Sequence, residues 1–77
     1  MEKLTLDGLI FSTTEIHIEN HILTITLNRP EKKNAINNVM MNELNYVITY
    51  AKQEKNIRVV VINAKGDIFC AGADLSR

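Results

Sequence analysis

The sequence predicts an α/β fold that consists of a β-hairpin, one helix and one buried strand. Residues 15–19 and 22–28 alternate polar and apolar side chains, which is typical of half-buried strands. Residues 39–55 carry apolar side chains at helical spacing, and residues 58–64 are an almost continuous apolar run. Such a run favours a strand that is covered on both faces of a sheet. The 77-residue chain can build one modest core, but it cannot enclose a deep pocket.

The two strands of the hairpin are joined by Asn20 and His21, and Asn tolerates turn conformations. Pro30 ends the second strand, because proline has no N–H to donate to a central ladder. The following residues, RPEKKNAINN at 29–38, are polar and show no periodicity, so they predict a loop. Residues from 1 to about 14 carry no clear pattern and are predicted to be a loose arm.

The helix is expected to begin after a cap at Asn37 or Asn38 and to end near Lys55. Its core-facing side chains are predicted to be those with helical spacing: Met40, Leu44, Val47, Ile48 and Ala51. Together with the strands on either side, the helix predicts a βαβ crossover between parallel strands.

Composition excludes several function classes. Lys plus Arg and Asp plus Glu number 9 each, so the chain lacks the basic excess of a general nucleic-acid or anionic-membrane binder. One cysteine rules out an intrachain disulfide and fits a reducing compartment. Glu2 and Asp7 do not suit a signal peptide, so a cytoplasmic protein is expected. Without cysteines or carboxylates at ligand spacing, His17 and His21 do not predict a metal site.

The stretch DIFCAGAD, residues 67–74, places small side chains directly after the apolar strand. Small neighbours leave backbone N–H groups accessible, and a helix that starts near Asp74 would leave further N–H groups free. Such donors suit an oxygen that gains negative charge during a reaction. The alternative interpretation is a tight turn that packs against a helix. In either case Cys70 is expected to be a small packing residue and not a nucleophile, and Asp74 a helix cap and not an acid or base.

Two segments resemble the enoyl-CoA hydratase/isomerase, or crotonase, family: LTITLNRPEKKNAIN at 23–37 and RVVVINAKGDIFCAGADLS at 58–76. The resemblance runs from about Glu15 to the last residue. It implies that residues 1–77 are the N-terminal part of a crotonase-like ββα spiral. It also implies coenzyme A thioester substrates, no prosthetic group, and a homo-oligomer of three or six chains.

The resemblance also implies the site residues. The N–H of Ala73 matches one of two oxyanion-hole donors, and the residues along the bound acyl-CoA are Ala71, Gly72, Ala73, Asp74, Leu75 and Ser76. A second set is implied to bind coenzyme A: Lys32, Lys33, Asn34 and Ala35, of which Lys33, Asn34 and Ala35 border its adenosine end. Lysines there would make charge-assisted hydrogen bonds to phosphates. The alternative for this loop is a solvated basic surface that is partly balanced by Glu31.

We therefore expect an enoyl-CoA hydratase that adds water to a 2-enoyl-CoA through an oxyanion-stabilised enolate. A double-bond isomerase is the alternative within the family, and a non-catalytic CoA-binding or assembly fragment is the alternative from another class. The resemblance places the second oxyanion donor and two catalytic glutamates beyond Arg77. Glu43 and Glu54 match neither catalytic position, so the isolated 77 residues are predicted to be inactive.

Overall fold

The computed structural model describes residues 4–73 and contains the predicted elements in the predicted order. Strand β1 (Thr14–Glu19) and strand β2 (Ile22–Leu27) precede helix α1 (Asn38–Gln53) and strand β3 (Val59–Ala64). The three strands form one sheet in the order β1-β2-β3. The α/β class and the sequence of hairpin, helix and strand are thus confirmed.

The hairpin turn consists of Asn20 and His21, whose φ angles are 53° and 67°. Two consecutive residues with positive φ match the type I′ turn, which fits the right-handed twist of antiparallel strands. Thr14 pairs with Leu27 at one end of the ladder, and Glu19 pairs with Ile22 beside the turn. His21 Nδ1 lies 2.8 Å from the carbonyl oxygen of Asn56, which ties the turn to the segment before β3.

The core lies between α1 and the hairpin. Leu23 and Ile25 of β2 are fully buried, and Val47 and Ala51 of α1 pack against them. The N-cap of α1 is Asn37, whose side-chain oxygen accepts a hydrogen bond from Met40 N at 2.9 Å. The predicted apolar face of the helix is confirmed, since it is wholly or partly buried: Met40, Leu44, Val47, Ile48 and Ala51.

Strand β3 is where it was predicted, but the prediction that both of its faces are covered is wrong for the part of the chain that the structure describes. Apolar side chains on each face are exposed. The strand pairs in parallel with β2, with Val60 beside Leu23 and Ile62 beside Ile25. Val60 and Ile62 are nevertheless 40% and 42% exposed. The reason is geometric: a helix about 10 Å across spans roughly two strands that lie about 4.8 Å apart. Helix α1 lies over β1 and β2, so the third strand is left as an open, apolar edge.

The segment that was predicted to be a loose arm lies against α1 from Leu4 onward. Tyr46 Oη donates to the carbonyl oxygen of Thr5 at 2.6 Å, and Gln53 Nε2 donates to that of Leu4 at 2.9 Å. Leu6 and Phe11 are half-buried against the core. Polar side chains of α1 thus supply donors for a backbone that has no strand partner at this point.

Candidate functional site

The loop after β2 is a compact structure rather than the unpatterned loop that was predicted. A single turn of 3₁₀ helix spans Pro30–Lys32, and proline suits its first position because its φ is already fixed near the helical value. Lys33 and Asn34 follow with φ of 54° and 56°. Asn34 N donates to the carbonyl oxygen of Arg29 at 2.8 Å, and Ala35 N donates to that of Lys32 at 3.0 Å. These bonds fold the loop back on itself.

Asn34 is fully buried, and its side chain holds the loop against the turn that follows β3. Its Oδ1 accepts from Arg29 N at 2.8 Å. Its Nδ2 donates to the carbonyl oxygens of Lys65 and Ile68, at 2.7 and 2.8 Å. Asn34 was predicted to border the coenzyme; the structure turns its amide into the protein, where both of its polar atoms have partners.

The turn after β3 packs directly on this loop. Gly66 has a φ of 88°, and a Cβ at this position would lie 3.1 Å from Pro30 Cβ. The backbone angle therefore favours glycine, and a side chain here would also need Pro30 to shift by a few tenths of an ångström. A shallow pocket of about 230 Å³ opens beside the contact. Its walls come from both segments: Pro30, Lys33, Lys65, Gly66, Asp67 and Ile68.

The small-residue segment runs beside the same loop. Ala71 N donates to the carbonyl oxygen of Lys33 at 3.0 Å, and Ile36 N donates to that of Gly72 at 2.8 Å. Ile36 and Ala73 form a parallel β-bridge. The structure thus brings together the two groups of residues that the sequence singled out separately.

The backbone of the small-residue segment is open to solvent. Ala71, Gly72 and Ala73 are exposed, and Gly72 has a φ of 107°, a conformation that favours glycine. Within residues 4–73, the N–H of Ala73 has no hydrogen-bond acceptor. An exposed backbone N–H with small neighbours can donate a hydrogen bond to a ligand oxygen, as the sequence predicts. Asp74, Leu75 and Ser76 lie outside the described residues.

The basic residues of the loop after β2 and of the turn after β3 have different environments. Arg29 is half-buried, and its Nη1 donates to the carbonyl oxygen of Ala35, so it supports the loop from within. Lys65 pairs with Glu15. Lys32 and Lys33 are exposed, and neither is paired with a carboxylate within residues 4–73. These two ammonium groups are therefore available to an anionic ligand.

Glu43 is the residue with the most elaborate environment, and sequence reasoning did not identify it. Its carboxylate accepts from the N–H and hydroxyl groups of Ser12 and Thr13 and from Thr14 Oγ1, at 2.8 to 3.4 Å. Burial raises the pKa of Glu43, but the hydrogen bonds from Ser12, Thr14 and Thr13 outweigh it and hold the pKa below its ordinary value of 4.5. The run Ser12-Thr13-Thr14 was the available signal, but its partner lies about thirty residues away.

Two further features bear on the site. Cys70 is half-buried, and its Sγ accepts from Gly72 N at 3.4 Å, which fits the predicted packing role.

Residues 4–73 contain no cluster of histidine, cysteine and carboxylate side chains that could hold a metal ion. Among the same residues, no helix has both the length and the apolar character that a membrane crossing requires.

The chain is similar to known proteins over most of its length. The family model described as enoyl-CoA hydratase/isomerase matches residues 17–77. A probable enoyl-CoA hydratase of Mycobacterium tuberculosis is 36% identical over 61 residues, which are 79% of this chain and 24% of the relative. A trans-2-decenoyl-acyl-carrier-protein isomerase of Streptococcus mutans is 37% identical over 59 residues, 77% of this chain and 22% of the relative. The chain thus spans about a quarter of the length of these curated relatives.

Solved structures agree with the sequence comparison. The crystal structure of an enoyl-CoA hydratase/isomerase from Mycobacterium paratuberculosis superposes with a TM-score of 0.82 at 35% identity. The superposition covers 86% of this chain and 26% of that structure. The hairpin, helix and third strand are therefore the crotonase arrangement, and this chain belongs to the enoyl-CoA hydratase/isomerase family.

Proposed function

We propose that this chain supplies one half of the thioester site of an enoyl-CoA hydratase, which adds water to a 2-enoyl-CoA. One observation carries the proposal: the parallel bridge between Ile36 and Ala73 sets an exposed backbone donor beside the loop that carries Lys32 and Lys33. A coenzyme A thioester has the matching chemistry, with a carbonyl oxygen at the reacting end and phosphates at the other.

The reacting end of the substrate would meet the N–H of Ala73. When water adds to the β-carbon, negative charge develops on the thioester oxygen as the enolate forms, and a fixed donor stabilises it. Because Ile36 N already binds the carbonyl oxygen of Gly72, the peptide that carries the Ala73 N–H is held in place before substrate arrives. Small side chains at Ala71 and Gly72 let the oxygen approach. Loss of one such donor costs about 10²–10³ in rate.

The coenzyme end of the substrate would meet Lys32 and Lys33. Both side chains are exposed and lack a carboxylate partner within residues 4–73, so phosphates can bind them without breaking an ion pair. Ala35 adds a small side chain beside them. The predicted contacts of Asp74, Leu75 and Ser76 remain part of this proposal.

The site proposed here is incomplete without further residues. One N–H does not make an oxyanion hole, and the oxygens of the half-buried Glu43 carboxylate are already occupied by hydrogen bonds from Thr13 and Thr14. We therefore propose that residues 1–77 alone are inactive. The active protein would carry a second donor and two glutamates and would assemble as a trimer or hexamer.

Double-bond isomerisation is the second candidate, because the isomerase from Streptococcus mutans matches at 37% identity, close to the 36% of the hydratase from Mycobacterium tuberculosis. Both reactions can pass through an enolate with negative charge on the thioester oxygen, so the described half of the site serves either. A non-catalytic CoA-binding or assembly role is the third, and the open edge of β3 supports it, since an apolar edge of this kind binds further polypeptide.

The test is an assay of the protein expressed from its complete gene, with a 2-enoyl-CoA and a 3-enoyl-CoA in parallel. Loss of the conjugated enoyl-thioester absorbance without any 3-enoyl product supports the hydratase. Conversion of the 3-enoyl to the 2-enoyl thioester supports the isomerase instead. Binding of coenzyme A without either reaction would leave the non-catalytic CoA-binding role. Absence of both binding and reaction would refute the two enzyme functions and the CoA-binding role, and would leave assembly alone.

A further inference from the structure

Asn34 connects the two segments from which the proposed site is built. Its amide is fully buried, and each of its polar atoms takes part in a hydrogen bond. The acceptor of the amide faces its own loop, at Arg29 N, and both hydrogen bonds of the donor face the opposite segment, at Lys65 and Ile68. One side chain thus fixes the distance between the loop after β2 and the turn after β3.

The other contacts between the segments are at the surface. The bonds from Ala71 N to Lys33 and from Ile36 N to Gly72 join residues that are exposed or half-buried, where water competes for the same groups. A buried amide has no such competitor, and leaving its partners unsatisfied is expensive. The φ of 56° at Asn34 turns the side chain inward, in a conformation that Asn adopts more readily than most residues.

We infer that Asn34 acts through its side chain as a positioning residue, while the contact with coenzyme A that the resemblance implies for this stretch stays a prediction. Its side chain sets the position of the Ala73 N–H relative to Lys32 and Lys33, and so aligns the oxyanion donor with the coenzyme loop. The inference rests on the proposed function for its catalytic consequence. Its structural part, the coupling between the two segments, stands on the three hydrogen bonds alone.

The first experiment measures amide hydrogen exchange in the Asn34→Asp variant of the protein expressed from its complete gene. Aspartate has the same shape and keeps the acceptor, but it sets an oxygen against the carbonyls of Lys65 and Ile68. We expect the amides of Ile36 and Ala71 to exchange on the order of tenfold faster or more, with the β1–β2 ladder unchanged. Asn45→Asp, on the exposed face of α1, makes the same change of charge and should alter neither.

The second experiment separates positioning from general stability by kinetics. If Asn34 aligns the donor, kcat with a 2-enoyl-CoA should fall at least about tenfold, while the dissociation constant of free coenzyme A rises less, because the 3₁₀ turn keeps its own hydrogen bonds. Asn34→Ala removes the side chain without the repulsive oxygen and should give the same pattern in a milder form.

The results separate this inference from the proposed function. Faster exchange at Ile36 and Ala71 in a protein that neither binds coenzyme A nor turns over would keep the coupling and refute the function. Unchanged exchange at these two amides would overturn the inference. Uniformly faster amide exchange across the whole sheet would also overturn the inference, and so would loss of the fold in both Asn34 variants. In either case Asn34 would stabilise the whole fold and not specifically the site.

Discussion

The donor role of Ala73 can be tested by removing its N–H without breaking the contact that positions it. Ala73→Pro has no backbone donor, yet the bridge depends on Ile36 N and the carbonyl oxygen of Gly72, and both of these groups remain in the variant. Ala73→Val keeps the donor but places a branched side chain where the acyl group must approach. Ala73→Gly keeps both the donor and the open space and is the matched control.

The expected magnitude follows from the free N–H. Within residues 4–73 this donor has no acceptor, so its removal costs no internal hydrogen bond and its effect falls on the ligand. Loss of one oxyanion donor corresponds to about 10²–10³ in kcat, or roughly 3–4 kcal/mol in the transition state. Because the charge develops only during reaction, KM should change much less than kcat.

The assay is steady-state hydration of a 2-enoyl-CoA by the protein expressed from its complete gene, with circular dichroism to confirm folding. We expect Ala73→Pro and Ala73→Val to lose at least a hundredfold in kcat and Ala73→Gly to stay within a fewfold of wild type. Folded Ala73→Pro with near wild-type kcat would refute the reasoning. The segment from Cys70 to Ala73 would then be a tight turn and nothing more.

Four further predictions concern stability, assembly and activity. Folding lowers the pKa of Glu43, so its contribution to stability is complete above the unfolded pKa of about 4.5 and is lost as the pH falls through the lower folded pKa. Glu43→Gln should therefore make the melting temperature depend less on pH in that window. A variant whose melting temperature depends on pH as in the wild type would contradict this prediction. Gly66→Ala should lower the free energy of unfolding by about 1–2 kcal/mol, because of the positive φ and the close contact with Pro30. The matched control is Gly8→Ala, which has a φ of 75° but open space around it and should cost less. Equal urea midpoints for the two variants would exclude a contribution from the contact with Pro30. The isolated 77 residues should associate through the open edge of β3, and a cooperatively melting monomer in size-exclusion with light scattering would refute this. They should also show no hydratase activity, and turnover within a hundredfold of a complete family member would refute that.

The elements of the fold were predictable because their signals are local. Alternation in β1 and β2, helical spacing in α1 and the cap at Asn37 each depend on neighbours within a few residues, and the structure agrees to within about two positions. The 3₁₀ turn at Pro30–Lys32 was missed because its pattern is polar and short. The exposure of β3 was missed because an apolar run does not reveal what covers it.

The candidate site divides in the same way. The small residues after β3 and the lysines after β2 were recognised separately, because each group can be identified from a few consecutive residues of the sequence. Their proximity came only with the bridge between Ile36 and Ala73, which are 37 positions apart by their numbers. The network around Glu43 and the inward amide of Asn34 were equally out of reach, because each joins residues about thirty positions apart.

By itself, then, the sequence determined the order and type of the secondary structure elements, the polarity of each face and the family. These depend on side-chain size, polarity and backbone preference, which act over one or two turns of chain. Within residues 4–73, the tertiary structure decided which strand was left uncovered, which lysines stayed free of partners, and that Asn34 binds protein instead of solvent. Those outcomes depend on contacts between distant segments, where burial and hydrogen-bond geometry set the free energy and no local pattern records them.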